Sequence, residues 1–358
     1  MFAKKSLVAV AAMLAAAGAA QAQSSLKVYG SLDIGMGSFE AAHDKGVSSR
    51  TTEVASGKMM TSFIGFAGSE DLGGGLKAEF ALESFLGVDT GQAGGTAYGN
   101  KAGGFWSRGS FVALTGDFGK LALGQYDNPL FTAGYTYNPF GSSMAYSPTM
   151  RHYYYGMANV AQANAGVGFD TGFVNSVTYE SPVFSGFQLV GQYSTKETTT
   201  SGFGNSYSVA GVYNAGPFSA TLTYVKSGIA TAYDANEKVI GLGTSYDFGV
   251  VKAFAQYTQV KQTASTVGAA GAQDANKDKI YQIGVSVPVT EKGSVLASFG
   301  KLENTLKATD TKETDTVFSV GYDYFLSKRT DVYGVFTNNQ HTDKVSGQTF
   351  AVGIKHAF

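Results

Sequence analysis

Residues 349–358 read Thr349-Phe-Ala-Val-Gly-Ile-Lys-His-Ala-Phe358. Phe350, Val352, Ile354, His356 and Phe358 alternate with Thr349, Ala351, Gly353, Lys355 and Ala357. A period of two marks a strand with one apolar and one polar face. The same alternation sets Leu76, Ala78, Phe80 and Leu82 against Lys77, Glu79, Ala81 and Glu83. It recurs with Tyr281, Ile283, Val285 and Val287, and again with Phe318, Val320, Tyr322 and Tyr324. These strands are two-faced throughout.

The connections have a rhythm of their own. Tight turns fall at 68–75, 115–119, 181–186, 214–217, 247–249, 289–293 and 326–328. Long polar connections lie near 39–57, 87–105, 127–171, 196–205, 227–236, 261–278, 303–314 and 339–347. Seven short and eight long connections join sixteen strands, with both chain ends on the short-turn side. That arrangement is the one bacterial transmembrane barrels require. A soluble β-sandwich also alternates, but it explains neither the short/long rhythm nor the terminal Phe358. Closing the sheet satisfies every backbone group in lipid and removes the sheet edges. Tyr29, Tyr193, Tyr213, Tyr224, Tyr246, Tyr257, Tyr322 and Tyr324 crowd strand ends, as interfacial girdles would. The prolines fit as well: Pro129, Pro139 and Pro148 lie in the third long loop, Pro182 and Pro217 in turns, and Pro288 at a strand end.

Composition narrows the function. The chain of 358 residues carries 47 Gly, 25 Phe, 21 Tyr and no Cys, with 26 Lys+Arg against 27 Asp+Glu. No basic excess points to nucleic acid, and the aromatic content argues against disorder. The lack of Cys excludes a disulfide framework, a thiolate metal site and a cysteine nucleophile. Met1–Ala22 reads as a cleavable signal peptide: Lys4 and Lys5 precede an apolar stretch, and Ala20-Gln21-Ala22 supplies the small residues of a cleavage site. Residues 23–358 are then one barrel domain of 358 − 22 = 336 residues, with formal charge 24 − 27 = −3.

Against this background several stretches resemble one family. Lys27-Val-Tyr-Gly-Ser-Leu-Asp33 is similar to the opening strand of the general trimeric porins of Gram-negative outer membranes. Gly65-Phe-Ala-Gly-Ser-Glu-Asp-Leu-Gly-Gly-Gly-Leu-Lys-Ala78 resembles the second-to-third-strand hairpin of their beta-proteobacterial branch. Ser110-Phe-Val-Ala-Leu114, Asp117-Phe-Gly-Lys-Leu121 and Asn175-Ser-Val-Thr-Tyr-Glu-Ser-Pro182 resemble later strands, and Phe358 the assembly signal of such barrels. The resemblance implies an all-β, sixteen-stranded antiparallel barrel with short periplasmic turns, long extracellular loops and a third loop folded into the pore. It implies a homotrimer that meets outer-membrane lipid, lipopolysaccharide and the assembly machinery, passes small hydrophilic solutes and ions, and uses no cofactor.

The constriction departs from the family pattern. In the second strand Phe63-Ile64-Gly65-Phe66-Ala67-Gly68 stands where the family has basic residues, and Gly124-Gln125-Tyr126 replaces its Gly-Arg motif. An acid is absent at Pro139-Phe140-Gly141, and residues 127–171 carry only Asp127, Arg151 and Asp170 as formal charges. The wall keeps Lys77, Glu79, Glu83 and Arg108, and Arg151 with His152 is placed to reach the eyelet. Each of these also reads as a solvated wall or loop residue. The pore is therefore expected to be near-neutral or mildly cation-preferring. The third loop is instead rich in aromatics, among them Tyr135, Tyr137, Phe140, Tyr146, Tyr153, Tyr154 and Tyr155. They serve either as packing against the inner wall or as a stacking track for sugars or aromatic solutes.

Enzyme signals are weak. There is no G-x-S-x-G, H-E-x-x-H or P-loop motif, and the histidines His43, His152, His341 and His356 form no triad pattern. A surface adhesin needs large structured external loops, and only residues 127–171 form a long one. A diffusion channel is the expected function.

Overall fold

The computed structural model describes residues 25–94, 104–154, 167, 171–197, 204–228, 234–264, 276–306 and 310–358. The signal-peptide reading of residues 1–22, and Tyr155 and Asp170 of the third loop, lie outside them. Sixteen strands form the wall: β1 (Ser25–Phe39), β2 (Phe63–Gly73), β3 (Leu76–Gly87), β4 (Gly109–Gly116), β5 (Gly119–Asp127), β6 (Gly172–Glu180), β7 (Phe187–Ser194) and β8 (Ser206–Ala215). They continue as β9 (Phe218–Ser227), β10 (Asp234–Asp247), β11 (Lys252–Ala264), β12 (Asn276–Pro288), β13 (Gly293–Leu306), β14 (Thr311–Phe325), β15 (Thr330–His341) and β16 (Gly347–Ala357). Each pairs antiparallel with its sequence neighbours. Two short extra strands, Thr51–Ser56 and Gln92–Ala93, sit in loops and pair with β1 and β3.

Closure joins the first strand to the last. Ser31 pairs with Ala357 and Ser38 with Phe350. Phe358 and Gly30 exchange backbone hydrogen bonds of 3.1 and 3.3 Å, so the sheet has no free edge at the seam.

Side-chain parity follows the sequence pattern almost everywhere. Val112, Leu123, Leu222 and Ile283 are exposed on the outward face. Their neighbours Ala113, Ala122, Thr223 and Gln282 are buried inside. Tyr29 breaks the girdle expectation: it faces inward and donates to Glu83 Oε1 at 2.6 Å. Its position near a strand end suited a girdle, but β1 reaches the short-turn rim with Val28 on the outward parity instead.

The buried core lies inside the barrel. Val225 pairs with Val239 and Val239 with Val260, while Ile280 pairs with Leu302. All five point inward and are covered by Leu130 and Tyr153 of the third loop. An inward apolar row has to be roofed by protein, since a water-filled lumen leaves it hydrated. The third loop is that roof.

Candidate functional site

The third loop leaves the wall where β5 and β6 part. Gly124 there has φ +131°, and a Cβ on it would lie 2.2 Å from the Ser110 carbonyl oxygen, so only glycine fits. Asn128 then caps helix α1 (Pro129–Thr136): its Oδ1 accepts from the Leu130 amide at 2.9 Å, and Pro129 occupies the first turn. The Asn128 amide nitrogen reaches Gln192 Oε1 at 3.1 Å, and its backbone N–H donates to Thr171 at 2.8 Å, closing the loop's base. Helix α2 (Pro148–Tyr154) follows.

A line of polar contacts fixes the loop to the wall of β9–β15. Tyr137 Oη bonds Ser219 and Thr221 at 2.9 and 2.8 Å. Gln256 Nε2 donates to the carbonyls of Gly134 and Tyr137 at 3.1 and 2.8 Å. The Thr149 amide donates to Gln282 Oε1 at 2.7 Å, and Tyr153 Oη meets Thr258 Oγ1 at 2.5 Å. His152 Nε2 lies 3.1 Å from Asp315 Oδ1, which also accepts from Asn339.

Glycines on the inward parity make room for this loop. Cβ atoms built on Gly241, Gly243, Gly284 and Gly300 would come within 2.6, 2.2, 2.7 and 2.3 Å of Leu130, Tyr137, Pro139 and Pro148. The wall is thus hollowed along the loop's path. Inward-facing Gly on β10, β12 and β13 is the sequence signal that reveals it.

This placement corrects several expectations. Tyr137, Phe140, Tyr146 and Tyr153 are 1–2 % exposed, sealed between loop and wall, so none can stack a passing solute. Burial also pushes the Tyr146 and Tyr153 phenols above their ordinary value, keeping them uncharged. His152 is wholly buried against β14, and Arg151 reaches Asn339 at 3.5 Å rather than the lumen centre. Gln125 shares the outward parity of Leu121 and Leu123 and donates to the Ser107 carbonyl at 2.8 Å, so it is not a pore residue. Lys77 lies inward at the short-turn end, in register with Asp71 and Thr115.

The remaining candidates come together opposite the loop. A cavity of about 240 Å³ is lined by Met60, Thr61, Phe85, Arg108, Asp127 and Tyr135, with Phe131, Ser142, Met144 and Thr171. A second, about 220 Å³, lies on the short-turn side of α1 between Tyr126, Glu180 and Asn214; Asp127 lines both. Arg108 pairs directly with Glu83 and its guanidinium sits 4.0 Å over the Phe63 ring. Glu83 also accepts from Tyr29. Below them Lys120 Nζ is 3.2 Å from Glu79, which accepts from Thr115 as well. Tyr126 Oη donates to Glu180 at 2.7 Å. Arg108 with Glu83 and Lys120 with Glu79 therefore stand as compensated pairs beside a nearly neutral loop, while Glu180 meets a tyrosine hydroxyl. Lys120 and Glu180 had no place in the sequence reading, although both lie on the inward parity of β5 and β6.

Residues 9–344 match the family model described as Gram-negative porin. The chain belongs to that family. It is 33% identical to outer membrane porin protein 32 of Delftia acidovorans over 99% of this chain and 100% of that one. With an outer membrane porin protein of Bordetella pertussis it shares 29% identity over 99% of this chain and 100% of that one. Its fold is similar to that of the anion-selective porin from Comamonas acidovorans, with a TM-score of 0.75 and 27% identity over 94% of this chain and 100% of that one. This porin is a passive channel of the Gram-negative outer membrane, not an enzyme, and its long loops face outward.

Proposed function

We propose that this porin passes small hydrophilic solutes and ions with little preference for the sign of their charge. The pairing of each basic residue on the eyelet wall with a carboxylate, Arg108 with Glu83 and Lys120 with Glu79, carries this reading. A transverse field that sorts ions needs separated charges of opposite sign. Here opposite charges sit on the same wall within contact distance, and their fields largely cancel. Glu79 and Glu83 suggested a mild cation preference while they stood alone; with their partners in place the neutral end of that range is favoured. Anion selectivity is named for the Comamonas protein, and this eyelet's paired cations argue against it here. Reversal potential in a salt gradient across a planar bilayer tests the reading. Because Tyr137, Phe140, Tyr146 and Tyr153 are sealed against the wall, a stacking track is left with Tyr135 and Phe131 beside the cavity, and the diffusion reading is favoured.

Self-association belongs to the same proposal. β4 and β7 have 8 residues each and β5 and β6 have 9. β10 and β13 have 14, and β14 has 15. A tilted strand needs about 9–11 residues to cross the hydrocarbon layer. The β4–β7 face barely spans it, yet presents Val112, Leu123 and Val177 outward. Cover by a neighbouring copy, in a homotrimer, satisfies that face. Removal of residues 1–22 on export, with Phe358 read by the assembly machinery, completes the proposal; N-terminal sequencing of the membrane form tests the cleavage.

A further inference from the structure

Toward the long loops, beyond the roofed apolar row, the inward face turns polar. Each polar residue stands one inward position beyond an apolar one: Glu237 beside Val239, Gln262 beside Val260, Asp278 beside Ile280, Asn304 beside Leu302 and Asp315 beside Val317. The ladder sets Glu237 opposite Gln262 and Asp278 opposite Asn304, with Glu313 on the other side of Asn304. Acids and amides thus alternate along the row.

One pairing recurs three times. Gln262 Nε2 donates to Glu237 Oε2 at 3.1 Å, Asn304 Nδ2 to Asp278 Oδ1 at 2.5 Å and Asn339 Nδ2 to Asp315 Oδ1 at 2.8 Å. With its nitrogen turned to an acid, each amide must find a donor for its oxygen elsewhere. The third pair has one. Asn339 Oδ1 accepts from the Ala42 amide at 3.3 Å and from Arg151 at 3.5 Å, and His152 meets Asp315 at 3.1 Å. Helix α2 brings two basic side chains to that pair.

The first two pairs differ. Gln262 is 3% exposed and Asn304 2%, yet neither Gln262 Oε1 nor Asn304 Oδ1 meets a hydrogen-bond donor. Glu313 Oε2, on the strand next to Asn304, is buried without a donor as well. Lys238, Lys261, Lys277 and Lys312 of the same strands lie on the outward parity. Buried acceptors without donors are costly, and more so beside carboxylates. These oxygens call for a positive partner, as Arg151 is for Asn339.

We infer that a divalent cation of the calcium type binds against Asp278, Asn304 Oδ1 and Glu313. Every ligand atom on offer is a hard oxygen, and Ca2+ takes carboxylates, amide carbonyls and water together in one flexible shell. Gln262, diagonal to Asp278 across the ladder, extends the site. Among the described residues no three His, Cys, Asp or Glu gather to hold a metal. Two carboxylates and an amide oxygen, completed by water, therefore place the affinity at the weak end of calcium sites. Such an affinity suits an ion supplied from the external medium, on the long-loop side. The ion ties β12, β13 and β14 together next to the α2 anchor.

The test uses the refolded barrel in a neutral detergent, stripped with EDTA, dialysed, and titrated with CaCl2, MgCl2 or KCl at matched ionic strength. The melting temperature is expected to rise with Ca2+, with half the effect at about 0.1–1 mM, and to need at least about tenfold more Mg2+. Calorimetric titration should show a saturable Ca2+ site. The variant D278N/E313Q is expected to lose both the site and the rise, while E70Q/E291Q, altered at exposed short-turn residues, keeps them. Without Ca2+ the D278N/E313Q barrel should melt no lower than wild type, because the buried acids are gone. A missing Ca2+ effect, an equal effect of KCl, or an undiminished response in D278N/E313Q would overturn the inference. A Ca2+-free D278N/E313Q barrel melting below wild type would overturn it too, since protein groups would then already compensate these acids. So would an equal stabilisation of the EDTA-treated wild type on going from about pH 8 to 6, which would assign a shared proton to Glu313 instead.

Discussion

The Tyr137 ring occupies the space that a Cβ on Gly243 would need, its Cδ2 standing 2.2 Å from that position. Tyr137 lies on the third loop and Gly243 on the inward face of β10, so one absent methyl group seats the loop against the wall. Gly243→Ala should push the loop toward the lumen. An overpacking cost of about 1–3 kcal/mol is expected, seen as a lower melting temperature, with a smaller single-channel conductance. Gly191→Ala, where nothing lies within 4 Å, should change neither.

The His152–Asp315 pair makes a second anchor. Removing His152 takes one hydrogen-bond partner from the buried Asp315 carboxylate, so His152→Leu should cost about 1–3 kcal/mol in denaturant unfolding. Replacing both, as H152L/D315L, should recover much of that loss, and a double-mutant cycle over the four proteins reads the coupling.

Buried loop tyrosines set the alkaline limit. Desolvation raises the Tyr146 and Tyr153 phenols in the folded state, with the Asp33 carboxylate adding to the effect on Tyr146. A group whose folded pKa is raised gives stability that is whole below its unfolded value, about 10 for tyrosine, and is lost as pH rises beyond it. Through these tyrosines the melting temperature should therefore not vary with pH between about 6 and 9 and should fall above about pH 10, with a shallower fall in Tyr153→Phe.

Much of this fold was legible in the chain. Period-two alternation and the short/long rhythm located all sixteen wall strands, because lipid outside and water inside impose opposite chemistry on alternate residues. The eyelet was legible only in part. Parity places Glu79 and Glu83, and the resemblance places Arg108, but Lys120, the partner of Glu79, comes from β5, two strands away across β4, and depends on register. Tyr153 illustrates the other gap: a loop aromatic reads the same whether it faces solute or wall. Gly241, Gly243, Gly284 and Gly300 on the inward parity were the clue that it faces wall. Gln125 misled because the resemblance set it at the constriction, whereas its alternation with Leu121 and Leu123 puts it on the outward parity.

The proposed subunit contact makes its own demand. A carboxylate in the middle of the β4–β7 face, as in Leu123→Glu, should leave the barrel folded but convert the oligomer to monomer in unheated gel electrophoresis. Leu222→Glu on the far face, exposed there, should leave the oligomer intact.

Charge pairing at the eyelet can be unbalanced from either side. Glu83→Gln frees the Arg108 charge and should shift permeability toward anions; Arg108→Gln frees Glu83 and should shift it toward cations. Each change should be on the order of a few-fold in the permeability ratio, since one uncompensated charge in a narrow polar passage raises potentials of about kT.

The most direct test of the near-neutral eyelet is the reversal potential of the wild-type channel under a tenfold KCl gradient. A value close to zero, far below the limit of about 59 mV for a perfectly selective monovalent channel, is the expected result. A potential approaching that limit with the sign of anion permeation would contradict the compensated pairs at Arg108 and Lys120.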